Sequence, residues 1–358
     1  MKKYSIANDF LKEHNYPDIS ANEKKEIDDY WQQYGIKFPD YSWFRMYYGI
    51  TGIHSPHFIP NDIVHQILIP HYNNISCISG WDDKNVYELL LDNIHFPLSL
   101  AHCVNGRLYD KRWKNYRRDE DSMSKLATTI LQELDIEVDR HIILKEARES
   151  FAGRGVRLLS VSNAADMQNI LGREISKNYI IQKKIVQHPF FAQFCQTSVN
   201  IIRIITWRND DDVLVLSSSI RCGTDGSFTD IAYKDGKEIV NVVGVSEDGY
   251  VSDRFVNLDG NASSIQIQDR QVPCWDEIVS VVKAAAKRLL HFDLVGWDFT
   301  VNDKNEVICI EYNIHWPGTI LYQYANGPFA GKHTDKLLSF LKESKEQERI
   351  PRLFKRTN

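Results

Sequence analysis

The residues best suited to hold a metal are two carboxylates and an amide near the end of the chain: Asp298, Glu311 and Asn313. Alternation along a strand puts Cys309, Glu311 and Asn313 on one face. The turn Asn302-Asp303-Lys304-Asn305 separates their strand, 306–314, from a preceding strand, 293–301. If that turn pairs Val301 with Glu306, Asp298 lies opposite Cys309 and diagonal to Glu311, about 7–8 Å away on the same face. Trp297 and Phe299 then point the other way, into a core. Carboxylates grouped on an apolar hairpin are costly unless something positive sits among them. Magnesium takes oxygen ligands, one or two carboxylates completed by phosphate and water, which suits this set. Without metal the carboxylates are expected to repel, so neutralising Glu311 should raise the stability of the free protein. Taken alone, the trio also fits a half-exposed hairpin whose outer face is simply polar.

Cations stand upstream. Lys145 ends the apolar run His141–Leu144 and precedes a loop carrying Gly153 and Gly155. A lysine fixed on a strand beside mobile glycines can hold a polyphosphate, the ammonium as a point charge and the loop through its N–H groups. An ordinary turn is the plainer reading of the two glycines, and no G-x-x-x-x-G-K-[ST] loop occurs. Arg203 interrupts the apolar run 200–206, and Arg221 ends another at 214–220. If Trp207 pairs with Val213, Arg203 faces the same side as Ser217, Ser219 and Arg221. Guanidiniums on a shared sheet face call for carboxylate or phosphate, whether a structural partner or a ligand.

The elements that would position these groups are legible in the periodicity. Ser20-Ala21-Asn22-Glu23 has the form of a capping box, with Gly35 where the helix should stop. Tyr41, Trp43, Phe44, Tyr47 and Tyr48 then read as packing within an N-terminal subdomain, with sugar stacking as the alternative use. Residues 119–134 form an amphipathic pattern, and 163–171 a helix capped by Ser162. Strand signals dominate from 179: 179–186, 199–207, 213–221 and glycine-punctuated segments to about 256. A helix is predicted over 276–291, and the tail from 335 reads as a charged amphipathic helix on the outside. The whole is α+β with a large antiparallel sheet.

Composition narrows the function classes. The 358 residues are 43% hydrophobic and 25% charged, an ordinary globular balance. The net charge of −5 and the lack of a long cationic stripe argue against nucleic acid as a partner. The cluster Lys111–Arg118 reads as a solvated face. Six scattered cysteines show no zinc spacing, and neither a signal peptide nor a run long enough to span a bilayer is visible. A reducing cytoplasm, without membrane insertion, is the expected location.

Taken in order, these features resemble the ATP-grasp superfamily, and more narrowly the sugar-transfer-associated ATP-grasp proteins. The resemblance rests on Lys145 with its glycine loop, Gln182-Lys183-Lys184-Ile185, Gln187-His188-Pro189 and Asn200-x-x-Arg203. It continues through Ile220-Arg221-x-Gly223, Gly296-Trp297-Asp298, and Glu311-x-Asn313 followed by Pro317-Gly318. It covers roughly 80–330 and implies an ATP-grasp fold, two α+β lobes clasping ATP, behind a mainly helical, aromatic-rich N-terminal extension. The implied organisation is an extension over 1–80, a first lobe over 81–180, a C-terminal lobe over 181–334 and a tail over 335–358. The resemblance further implies that Asp298, Glu311 and Asn313 hold two magnesium ions, and that Lys145 and Lys84 contact ATP phosphates beside Gly153 and Gly155. Gln182, Lys183 and Ile185 would form the adenine hinge, and Arg203 and Arg221 would touch the transferred phosphoryl. The family's Asp-Asn and paired glycines after the second arginine are degraded here to Thr229-Asp230-Ile231-Ala232 and Asp235-Gly236, which leaves the acceptor side less defined. The implied activity is ligation of a carboxylate to an amine or thiol through an acyl phosphate. An amino acid joined to a sugar acid of a surface polysaccharide, in association with glycan-assembly enzymes, is the expected setting. A small-molecule kinase and a non-catalytic ATP-binding component of a glycan-assembly complex are the alternatives.

Overall fold

Alternating apolar residues build two antiparallel sheets, and the cleft between them organises the molecule. In the computed structural model the described residues are 5–134, 139–148, 153, 155–173, 178–210, 212–343, 351 and 354. The smaller sheet contains β1 (Ser99–Val104), β2 (Arg107–Asp110), β3 (Asn115–Tyr116), β4 (His141–Glu146), β5 (Arg157–Ser160) and β6 (Tyr179–Lys183), in the order β3-β2-β1-β6-β4-β5. Its inner face packs on the helices Glu120–Glu133 and Ala164–Arg173 through Leu126, Ile130, Met167 and Leu171. The first helix is capped by Asp119. Asn163, rather than Ser162, caps the second: its side chain accepts from the Asp166 N–H at 3.0 Å, and the Ser162 N–H donates to the Asp166 carboxylate.

The larger sheet follows β7 (Ile201–Arg208) and β8 (Val213–Cys222). A hairpin of β9 (Ala232–Lys234) and β10 (Lys237–Ile239) stands apart from it. With β11 (Asn241–Val245), β12 (Val251–Asn257), β13 (Ala262–Ser264), β14 (Leu294–Val301) and β15 (Val307–Asn313), the sheet order is β13-β12-β11-β8-β7-β14-β15. The helix Trp275–Arg288 covers one face through Ile278, Val282 and Ala285, against Ile204, Trp297 and Phe299. On the other face the helix Thr319–Asn326 packs together with the N-terminal helices, and Trp31, Tyr47 and Phe58 share one core with Ile205, Trp207 and Tyr322. The fold is α+β with a helical, aromatic-rich N-terminal region. The capping box is present at Ser20, ahead of the helix Ala21–Gln32, and Trp43, Phe44, Tyr47 and Tyr48 are buried.

Two registers differ from the simple alternation. In the β14–β15 hairpin Val301 pairs with Val307 and Phe299 with Cys309, and a bulge then brings Asp298 directly opposite Glu311. One extra residue, Ile310, is absorbed there and reverses the facing of the residues after it. Cys309 therefore lies in the core with Phe299 rather than beside Glu311. In the β7–β8 pair Trp207 meets Leu214, and a bulge after Ile205 sets Arg203 opposite Ser219. The tail differs as well. Over residues 334–342 it is two short helical turns whose Leu337, Leu338 and Leu341 are buried in the core, not a helix on the outside. Its residues 344–350, 352–353 and 355–358, and residues 149–152 and 154 around the two glycines, lie outside the described residues.

Candidate active site

Each sheet presents one face to the cleft, and period-two alternation decides which side chains reach it. On β4, Ile143 and Lys145 face the cleft; on β7, Ile201 and Arg203 do; on β8, Arg221 joins them. These residues and Asp298, Glu311 and Asn313 line one cavity of about 560 Å³. Lys84, Gly153, Gln182, Lys183 and Ile185 also line it. Of the residues assigned from sequence to hold nucleotide, metal or the transferred phosphoryl, Gly155 alone lies off the cavity lining, against the Glu146 side chain.

Lys84 is fixed by its neighbours. Its N–H donates to the Ala147 carbonyl at 2.9 Å, just beyond β4. Asp83, almost wholly buried, accepts from Arg148 Nε at 2.6 Å, and Asn85 donates to the Cys103 carbonyl. The Lys84 ammonium, itself buried, sits 3.5 Å from the Glu311 carboxylate. Gln182 donates to the Pro97 carbonyl, and the Lys183 N–H to that of Leu98. Asn200, from the motif shared with Arg203, contributes structure: its amide bonds Gln187 Oε1 and the carbonyls of Phe191 and Cys195.

The charges interleave. Arg203 makes a two-pronged ion pair with Asp298, Nε to Oδ1 and Nη2 to Oδ2, both at 2.5 Å and both residues buried. Burial opposes the charge on Asp298, but the adjacent Arg203 outweighs it and holds the carboxyl below its usual range. Burial likewise opposes the charge on Arg203, and Asp298 reverses it, raising the guanidinium's pKa. The Asn313 amide lies 3.5 Å from the same carboxylate. Arg221 pairs with Asp230, its Nε at 2.8 Å. Lys145 is pushed down to about 8 by burial, a displacement that Glu311 resists and Lys84 reinforces. The cavity wall carries six Lys and Arg residues against four carboxylates, so it favours an anion.

Asp298 and Glu311 offer carboxylate oxygens and Asn313 an amide oxygen, the chemistry a hard divalent cation takes. Among the described residues no cluster of three His, Cys, Asp or Glu forms a metal cage. A cation held here would rest on two carboxylates and an amide, with the remaining oxygens from a ligand and solvent. The set fits magnesium on those terms, because magnesium retains waters and phosphate oxygens more readily than it enters an all-protein cage.

The motifs missed several lining residues. Ile143 and Ile201 are signalled by alternation, two residues from Lys145 and Arg203 respectively. Ile310 is not, because only the bulge turns it toward the cavity. Asp230, in the stretch that departs from the family pattern, serves as the partner of Arg221. Trp316 lines the cavity three residues beyond Asn313.

Among curated proteins none matches the chain in sequence. A family model described as sugar-transfer associated ATP-grasp matches residues 64–337. Among solved structures the chain is similar to the D-alanyl-alanine synthetase A of Vibrio cholerae, at 10% identity over 76% of this chain and 67% of that one, with a TM-score of 0.45. It is similar to the ATP-grasp ligase PsnB in complex with a minimal precursor, at 14% identity over 75% and 63%, TM-score 0.40. A third is the N5-carboxyaminoimidazole synthetase of Staphylococcus aureus complexed with ADP, at 9% identity over 70% and 50%, TM-score 0.41. The chain spans about half to two thirds of the length of these structures.

Proposed function

The chain belongs to the sugar-transfer associated ATP-grasp family, and from that premise we propose that it is a magnesium-dependent, ATP-using carboxylate–amine ligase. One observation supports this most: two lysines, two arginines, two carboxylates and an amide, drawn from both sheets and from the segment before β1, converge on a single cavity. Ile143, Val156, Leu158 and Ile185 give one end of it apolar walls for a base, beside the backbone of Lys183. Lys145 and Lys84 would take the phosphates, and Asp298, Glu311 and Asn313 would hold magnesium, Glu311 shared between two ions. Bound there, magnesium supplies positive charge against the triphosphate.

A carboxylate oxygen of the first substrate attacks the γ-phosphorus, the bond to ADP breaks, and an acyl phosphate forms. Arg203 and Arg221 would bind the oxygens of the transferred phosphoryl group, each leaving its present carboxylate for a pair of phosphate oxygens that the same planar fork can grip. An amine, or a thiol, then attacks the carbonyl carbon, loses a proton and expels inorganic phosphate. We infer a sugar acid and an amino acid as substrates, in surface polysaccharide assembly alongside other glycan enzymes; the family's description supports this part. All six cysteines are free thiols, which accords with a cytoplasmic location, and among the described residues no helix is long and apolar enough to cross a membrane.

The test is ADP release across pairs of sugar acids and amino acids, with mass spectrometry of each hit. An amide product with free phosphate is expected. A stable phosphoester would make the protein a kinase, and tight Mg-ADP binding without turnover on any pair would make it a non-catalytic nucleotide binder.

A further inference from the structure

Trp316 is 45% exposed, and among the described residues lining the cavity it is the one large apolar side chain so open. Exposing an indole costs hydrophobic free energy, about 25 cal/mol per Å² of apolar surface. The exposure is not that of a loose side chain. The His65 ring lies 4.0 Å from the Trp316 ring and the His315 ring 5.0 Å, both tilted against it, so two imidazoles hold an indole that stays nearly half exposed. Burial and the nearby His315 push His65 down to about 4, so at neutral pH it is an uncharged ring with a donor and an acceptor nitrogen.

The position of Trp316 follows from the run of β15. The turn before that strand is tied to the hinge segment: the Asp303 N–H donates to the Val186 carbonyl at 3.0 Å, and the His188 N–H to that of Val301 at 2.9 Å. From there β15 runs away from the hinge, past Ile310, Glu311 and Asn313, and Trp316 comes next on the cavity wall. The three steps from Ile310 to Asn313 alone cover about 10 Å of strand. A nucleotide with its base at the hinge and its phosphates among the lysines and the acidic trio ends before Trp316. The open indole therefore stands on the acceptor side.

We propose that Trp316, flanked by His65 and His315, is the platform on which the pyranose ring of a sugar-acid substrate stacks. A pyranose has an apolar C–H face that fits an indole and a hydroxyl rim that can meet the imidazole nitrogens. Stacked there, the ring presents its carboxylate toward the end of the triphosphate. This assignment rests on the ligase reading of the cavity and names the substrate class of that site.

Saturation-transfer NMR on the full chain with Mg-ADP tests it, using glucuronate and galacturonate against benzoate, cyclohexanecarboxylate and alanine. Transfer to the ring C–H protons of a uronate is expected. Trp316→Leu keeps apolar bulk but removes the π face and should weaken uronate binding about tenfold, whereas Trp316→Phe should retain most of it. No uronate contact, contact unchanged in Trp316→Leu, or preference for the non-sugar acids would each overturn the platform. Calorimetric titration of wild-type protein with Mg-ADP separates the two levels. Without ADP binding the ligase reading falls and takes the platform with it; ADP binding without uronate contact removes the platform alone.

Discussion

The Lys145 ammonium, with a pKa of about 8 in the free protein, ties nucleotide binding to pH. A triphosphate favours the charged form, so above about pH 8 binding must draw a proton from solvent. Affinity for Mg-ATP should be flat below that value and fall about tenfold per unit above it. Calorimetry in buffers of different ionisation enthalpy reads the proton uptake directly, and Lys145→Ala should remove both the uptake and most of the affinity. Folding shows the opposite slope. The lysine is depressed from 10.5, so the unfolded chain binds the extra proton and stability rises between about 8 and 10.5. Glu311→Gln should lower turnover by about 100-fold. The repulsion expected from sequence between bare carboxylates does not operate here, because Lys84 stands beside Glu311 and Arg203 grips Asp298. The substitution takes away a counter-charge, so the melting temperature of the free protein should hold or fall, not rise; calorimetric melting distinguishes these.

The strands carry the arginines, and here geometry sharpens the expectations. Removing one member of a buried ion pair strands the other, so Arg203→Met should cost about 3–5 kcal/mol in urea unfolding. Arg203→Lys keeps the charge without the planar fork, and should lower turnover more than nucleotide affinity. Gly318 starts the helix Thr319–Asn326 at φ +76°, and a Cβ there would lie 2.8 Å from Arg203 Nη1. Gly318→Ala should therefore displace the guanidinium from Asp298 and lower both stability and turnover, which paired melting and ADP-release measurements check. Alternation alone made much of this legible. It put Arg203 and Arg221 on one face, and set Glu311 and Asn313 opposite the core residues Trp297 and Phe299. The bulges at Leu216 and Ile310 were not legible, since one inserted residue carries no compositional mark and is fixed by packing on both faces. Their effect was local but decisive: Cys309 went to the core, and Asp298 came directly opposite Glu311. The salt bridges escaped for a related reason, since which carboxylate an arginine chooses depends on register to within one residue.

Across the whole molecule, the N-terminal segment is part of the C-terminal body. Gln323, fully buried, accepts from the Ile59 N–H and donates to the Ile59 carbonyl and the Tyr47 hydroxyl, all at 2.9 Å. Trp31, Phe44 and Phe58 pack in the same core as Trp207 and Leu294. Deleting residues 1–60 would expose that core, and the truncated chain should aggregate or unfold without cooperativity, as light scattering and urea titration would report. The smaller sheet behaves differently. Chain enters it at β1 and leaves at β6, and those two strands are paired, Ser99 opposite Gln182, with the Lys183 N–H bonded to the Leu98 carbonyl. Tyr87, Leu91 and Ile94, just before it, are buried with the larger sheet. The described residues between 99 and 183 thus join the rest of the chain through two neighbouring strands, and we propose that they form a guest domain spliced into a host whose own thread is nearly continuous. Replacing the guest with a short Gly-Ser linker should leave a host that folds cooperatively, keeps Asp298, Glu311 and both arginines, and no longer retains nucleotide. On that outcome one jaw of the clasp would be portable, while the other is the body of the protein.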